Sequence, residues 1–269
     1  MKAAAVILLS LIAGLAASAQ ITLNDTVTMQ IGPDTLTAGV SHWETAKVRP
    51  TPYGQSRLIL KGATRDLSSL TILMHTLYAE RSFSMAPGDG ADHLLIVRDG
   101  SVTIDDDTLH KTLGPGGIGL FAAGDLPRIH NAGKANAVFY LFSFRSRSPA
   151  DPQRAKQAGP PLVTDWPEIP MKTTDKGESR PIFSRPVTWL SKIDMHATTL
   201  NPGEISHPQH VHRNEEIILM RTGHVRMHIA SGYQPATDGD LVFLASGVPH
   251  NLENGDTGRA EYFALQWEQ

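Results

Sequence analysis

The chain reads as an all-β protein, two copies of one barrel or sandwich joined by a proline-rich connection with one short helix. Three observations carry this. Short β-type runs recur at close intervals, separated by Gly, Pro and Asp. Two regions of about a hundred residues are copies of each other, too long for a solenoid unit. Between them, 146–180 is rich in Pro, Lys and Asp and poor in β-branched runs.

Taken in order, residues 1–19 have the pattern of a secretory signal. Lys2 gives a positive start, 3–16 is apolar, and Ala17-Ser18-Ala19 is a small-x-small cleavage site ahead of Gln20. The apolar run is shorter than the ~20 residues a membrane span needs. The expectation is export to the periplasm or the exterior, with no membrane attachment after cleavage. Residues 21–29 alternate as a half-buried strand does, 41–44 form an edge or arm, and 49–54 break structure. The first copy, 20–145, has β-type runs at 70–78, 94–98, 102–104, 118–121 and 137–144. In the connection, Asp151-Pro152 opens a short helix and Gly159 stops it. The second copy, 181–269, has runs at 187–193, 195–200, 217–220, 225–229, 241–244, 250–252 and 262–267.

Composition excludes several classes. With 24 basic and 27 acidic residues and a net charge of −3, there is no nucleic-acid footprint. Cysteine is absent, which removes disulfides, iron–sulfur clusters and thiol nucleophiles. Gly114-Pro115-Gly116-Gly117 has no following helix and reads as a turn, not a phosphate loop. The partner to expect is a small-molecule substrate; a homo-oligomer is compatible with the sequence.

The repeat is clearest where Asp92-His93-Leu94-Leu95-Ile96-Val97-Arg98-Asp99-Gly100 sets against Glu215-Glu216-Ile217-Ile218-Leu219-Met220-Arg221-Thr222-Gly223 without a gap. Met74-His75 pairs with Met195-His196 if two residues are lost, Tyr140 pairs with Tyr262, and Arg128 or His130 falls near His250. The copies differ where chemistry would sit. The second carries His207, His210, His212, Glu215 and Glu216 in one short stretch. In an extended chain His210, His212 and Glu216 share parity and face one space. Imidazole and carboxylate together suit a divalent Mn, Fe, Ni, Cu or Zn ion without choosing among them. The first copy lacks such a set, and its His75, His93 and His130 read as ordinary polar residues.

These residues resemble the cupin superfamily. Its first motif is met by Gly203, His210-Val211-His212, three residues, Glu216, six residues and Gly223. Its second is met by Gly239, five residues, Ala245-Ser246-Gly247, two residues, His250, three residues and Asn254. The spacer after Gly203 is one residue longer than usual, and Ala245 stands where the family has proline. The resemblance implies a bicupin, two tandem jelly-roll (double-stranded β-helix) barrels, with one metal held by His210, His212, Glu216 and His250 in the C-terminal barrel only. Metal-binding cupins include dioxygenases, oxalate-processing enzymes, sugar isomerases, lyases and aminohydrolases, and fold does not choose among them. Dioxygenase-like chemistry on a small oxygen-bearing metabolite leads, with Glu216 as catalytic base. The alternatives are a ureidoglycine-aminohydrolase-like hydrolase, an isomerase, or a non-catalytic metal-dependent sugar-binding protein. His207, His196, Tyr262 and Gln266 are the candidates for supporting the metal-binding side chains or for touching substrate.

Overall fold

The computed structural model describes residues 35–85, 88–106 and 108–269. The expected signal peptide at 1–19 and the expected strand at 21–29 lie outside them.

Among the described residues the fold is all-β apart from one α-helix, Pro152–Ala158, and two short 3-10 turns. Asp151 caps that helix by accepting from the Arg154 backbone amide at 2.9 Å, as its position before a proline predicts. Two seven-stranded antiparallel sheets form the body. One runs in the order Leu162–Thr164, Ile118–Phe121, Asp92–Asp99, Ala137–Ser146, Leu67–Leu77, Gly54–Gly62, Val48–Thr51. The other runs Gly39–Ser41, Leu241–Leu244, Glu216–Thr222, Ala260–Glu268, Lys192–Leu200, Gly177–Arg185, Lys172–Thr174. A small sheet accompanies each copy: four strands within 82–130 in the first, three strands within 225–253 in the second.

Alternation along the central strands fixes the layers. Leu94 and Ile96 join Ile217 and Leu219 in one buried cluster between the two large sheets. Leu95 and Val97 turn the other way, into the interior of the first barrel. Ile218 and Met220 turn into the interior of the second. These strands are therefore buried on both faces, which is why their sequence is continuously apolar.

The two copies correspond position for position. Gly177 follows Gly54, Leu244 follows Phe121 and Asn254 follows Asn131 by the same 123 residues, and each pair occupies the same place in its sheet or turn. Gly54 and Gly177 show what is kept: both have strongly positive φ, and a Cβ would lie 2.1 Å from the carbonyl oxygen of Thr76 or Thr199. This register corrects the alignment read from sequence. Met74 corresponds to Ala197 and His75 to Thr198, with no residues lost. Tyr262 corresponds to Phe139, and His250 to Pro127.

The connection also differs from expectation. Within 146–180 the helix is followed by the strand Leu162–Thr164, which pairs with Ile118–Phe121 of the first copy. Its counterpart, Gly39–Ser41, pairs with Leu241–Leu244 of the second copy. Each repeat thus lends an arm to the other's sheet, and most of the expected linker is the second arm. Trp43 and Trp166 close the arms in matching fashion. Trp43 lies under Arg98 at 4.0 Å and Trp166 under Arg221 at 4.2 Å. The run expected at 187–193 is extended only from Lys192, because 187–191 form a turn.

Candidate metal centre

The stretch with the histidines is a loop, not the strand its parity suggested; the strand begins at Glu216. The loop is shaped by its neighbour, His250–Glu253. Ser206 donates its amide to the Leu252 carbonyl at 2.8 Å, His210 and His250 exchange amides at 3.2 and 3.0 Å, and Gly247 donates to the His212 carbonyl at 2.9 Å. Asn254 anchors the far end: its buried carboxamide donates to the carbonyls of Leu200, Asn201 and Gly258. The two motifs, distant in sequence, thus become a local antiparallel pairing, and His210 arrives beside His250.

His210, His212 and His250 each offer a ring nitrogen, and these lie within 4.8 Å of one another. The Glu216 Oε2 sits 3.2 Å from His212 Nε2 and 3.4 Å from His250 Nε2. Two tautomers are set by the backbone. His212 donates Nδ1–H to the Asn214 carbonyl at 2.7 Å, and His250 donates Nδ1–H to the Val248 carbonyl at 2.8 Å. Both then present an Nε2 lone pair, as metal-binding histidines do. The His250 Nε2 is buried and makes no hydrogen bond, an arrangement that is costly in a metal-free protein. Three imidazole lone pairs and one carboxylate therefore fit a divalent first-row ion.

The electrostatics agree. Burial pushes the Glu216 carboxyl up, but the adjacent imidazoles of His212 and His250 together outweigh it and hold the pKa down to about 2. The same carboxylate raises His212, against the opposing effect of burial. His210 is lowered, by burial first and then by the neighbouring imidazoles.

A cavity of about 240 Å³ opens beside the histidines. All four residues expected around the site, His196, His207, Tyr262 and Gln266, line it. His207 stands edge-on to His210 at 4.1 Å and bonds through Nδ1 to the Pro208 carbonyl; it lies next to the triad without belonging to it. Burial pushes the Tyr262 phenol well up, opposed by hydrogen bonds with Thr198 and Ser206. Sequence reasoning missed Thr198, Ser206 and Asn251. Thr198 was detectable, since it shares a strand face with His196; Ser206 and Asn251 depend on the loop's path.

In the first barrel, Asp89, His93 and Pro127 stand in the positions of His212, Glu216 and His250, and the counterpart of His210 falls outside the described residues. His93 bonds to Ser143 and Asp89, so it is satisfied as an ordinary polar residue. His75, Phe83 and Phe139 fill the interior, their rings 4.8 to 5.8 Å apart.

Two β-barrels with three histidines and a glutamate gathered in the second make a candidate metal site on a bicupin-like fold. Comparison with known proteins agrees. Residues 196–265 match the model of the cupin domain. No curated protein matches by sequence. Among solved structures, the YlbA protein of E. coli is 16% identical, covering 86% of this chain and 90% of its own, with a TM-score of 0.67. The oxalate decarboxylase of Lactobacillus farciminis, solved with formate, is 14% identical over 87% of each chain at a TM-score of 0.65. AerE of Microcystis aeruginosa is 12% identical, covering 83% of this chain and 98% of its own, at 0.60. At these identities the likeness is one of fold. Residues 196–265 thus match the cupin domain, the chain as described has a bicupin-like fold, and its histidine triad lies in the C-terminal barrel.

Proposed function

We propose that this protein is an exported, mononuclear metal-dependent enzyme acting on a small oxygen-bearing metabolite, with dioxygenase-like chemistry. The observation that supports it is the convergence of His210, His212, His250 and Glu216 beside a partly open cavity. Those four residues would hold the ion. A divalent ion there supplies a Lewis acid for a substrate oxygen and, if redox-active, an electron path to dioxygen. The chain's own residues do the rest. Glu216 is the one carboxylate among the described residues that line the cavity, and on leaving the ion it would be the base for a proton of bound substrate. Tyr262 holds its proton and can donate a hydrogen bond. Ile218, Met227, Leu244 and Leu252 give the cavity an apolar part that limits water.

The test is metal analysis joined to oxygen uptake. The purified, reconstituted protein should carry about one equivalent of metal, and His250→Ala should carry under about a tenth. Oxygen consumption across a panel of hydroxy and oxo acids, enols and catechols should depend on the metal. Turnover that proceeds equally without oxygen would transfer the reading to a hydrolase or isomerase. Metal-dependent binding with no turnover would make the protein a binding module.

A further inference from the structure

The cavity specifies more than a metal. Among the described residues fifteen line it, and of these none is Lys or Arg and Glu216 is the only carboxylate. A divalent ion with Glu216 and three neutral imidazoles leaves one net positive charge. A ligand with a single negative charge brings that site to neutrality. A second anionic group within this partly open cavity would have no fixed cation to pair it, which is costly where bulk water is limited.

The second observation comes from the repeat. The positions of His75, Phe83 and Phe139, whose rings pack together inside the first barrel, are Thr198, Ser206 and Tyr262 in the second, and all three line the cavity. Thr198 and Tyr262 are cross-strand partners. An aromatic plug in one barrel is a cluster of hydroxyls in the other, supplemented by the carboxamides of Asn251 and Gln266. Neutral groups that both donate and accept suit hydroxyls on a ligand, because a buried polar group left unmatched is penalised.

Resting on the reading of the site as a metal centre, we propose that its ligand is a singly charged O,O-chelate with an uncharged, hydroxyl-bearing body, a hydroxylated 2-hydroxy or 2-oxo monocarboxylate. The carboxylate and its neighbouring oxygen meet the metal, and the body's hydroxyl meets Thr198, Ser206 and Tyr262.

Calorimetry on the nickel-loaded full chain tests this, at pH 8, above the ordinary histidine range, after metal content has been measured. The probes are glycerate, lactate, which lacks the second hydroxyl, and tartronate, which replaces the hydroxymethyl with a second carboxylate. Glycerate should bind at least about fivefold tighter than lactate and about tenfold tighter than tartronate, differences of about 1 and 1.4 kcal/mol. The double variant Thr198→Val with Ser206→Ala should keep its metal and bind glycerate no better than lactate. Tartronate binding as tightly as glycerate, a glycerate preference surviving in the double variant, or a metal-loaded protein that binds none of the three would each overturn the proposal. If the wild-type protein takes up no metal, the underlying metal reading fails and this proposal falls with it.

Discussion

Glu215 and Asp92 make the same contact in opposite directions across the interface between the barrels. Glu215, in the second barrel, accepts the amides of Arg65 and Asp66 at 2.9 and 3.1 Å and the Thr64 hydroxyl. Asp92, in the first, accepts the amide of Trp189 at 2.8 Å, and Trp189 is the counterpart of Asp66. Both carboxylates are buried. Their equivalence was visible in the sequence; that each reaches into the other barrel was not.

The clasp at Glu215 is next in sequence to the candidate ligand Glu216, whereas that at Asp92 adjoins the first barrel's satisfied His93. Glu215→Gln and Asp92→Asn should each cost about 1–3 kcal/mol of stability, because an amide group then faces backbone donors. Only Glu215→Gln should also weaken metal binding, by roughly 10–100-fold, the range for residues that orient ligands. Metal titration beside thermal melts separates the two effects. Equal loss of metal affinity in both variants would reduce the clasp to general stability.

Metal affinity should fall with acidity, since the imidazoles bind only when neutral. Glu216 raises His212, so a proton competes for this ligand above the ordinary ~6.5 of histidine as well as below it. Affinity measured from pH 5.5 to 8 should therefore keep rising past 6.5, and in Glu216→Gln the part of the rise above 6.5 should disappear. A wild-type affinity already level at pH 6.5 would contradict the coupling.

His75 provides a pH dependence independent of metal. Burial against Phe83 and Phe139 lowers it from 6.5 to about 4. Between those values the unfolded chain binds a proton that the folded chain does not. Stability is therefore complete above pH 6.5 and declines as pH falls toward 4, by about 1.4 kcal/mol per unit and on the order of 3 kcal/mol in all. His75→Phe should flatten that limb of a urea-denaturation series; an unchanged slope would place the acid sensitivity elsewhere.

The tryptophan arms should prove equivalent. Trp43 stacks under Arg98 and Arg57, and Trp166 under Arg221 and Arg180. Trp43→Ala and Trp166→Ala should each cost about 2–4 kcal/mol, from lost burial and cation–π contact in comparable amounts. Denaturant midpoints measure this. A large effect at one site and none at the other would mean the arms are not a matched pair in energy.

The sequence by itself determined the β class, the duplication and the asymmetry between copies. Those features depend on local signals: apolar runs broken by Gly and Pro, matching strings such as 92–100 and 215–223, and two histidine motifs present in only one copy. It also named His210, His212, Glu216 and His250, because ligand chemistry restricts the residue types. What it misjudged depended on pairing. The parity argument put His210 and His212 on a strand, whereas the loop is held against His250–Glu253 by backbone hydrogen bonds whose partners lie some 40 residues away. The alignment gained a false gap at Met195 because Met74 and Met195 look alike, while sheet register places Met74 with Ala197. The exchanged arms were hidden for the same reason: nothing in Gly39–Ser41 or Leu162–Thr164 states which edge it will cover. Backbone pairing between distant segments has no local composition, so only the tertiary structure could decide it, and with it the path of the loop that lines the cavity.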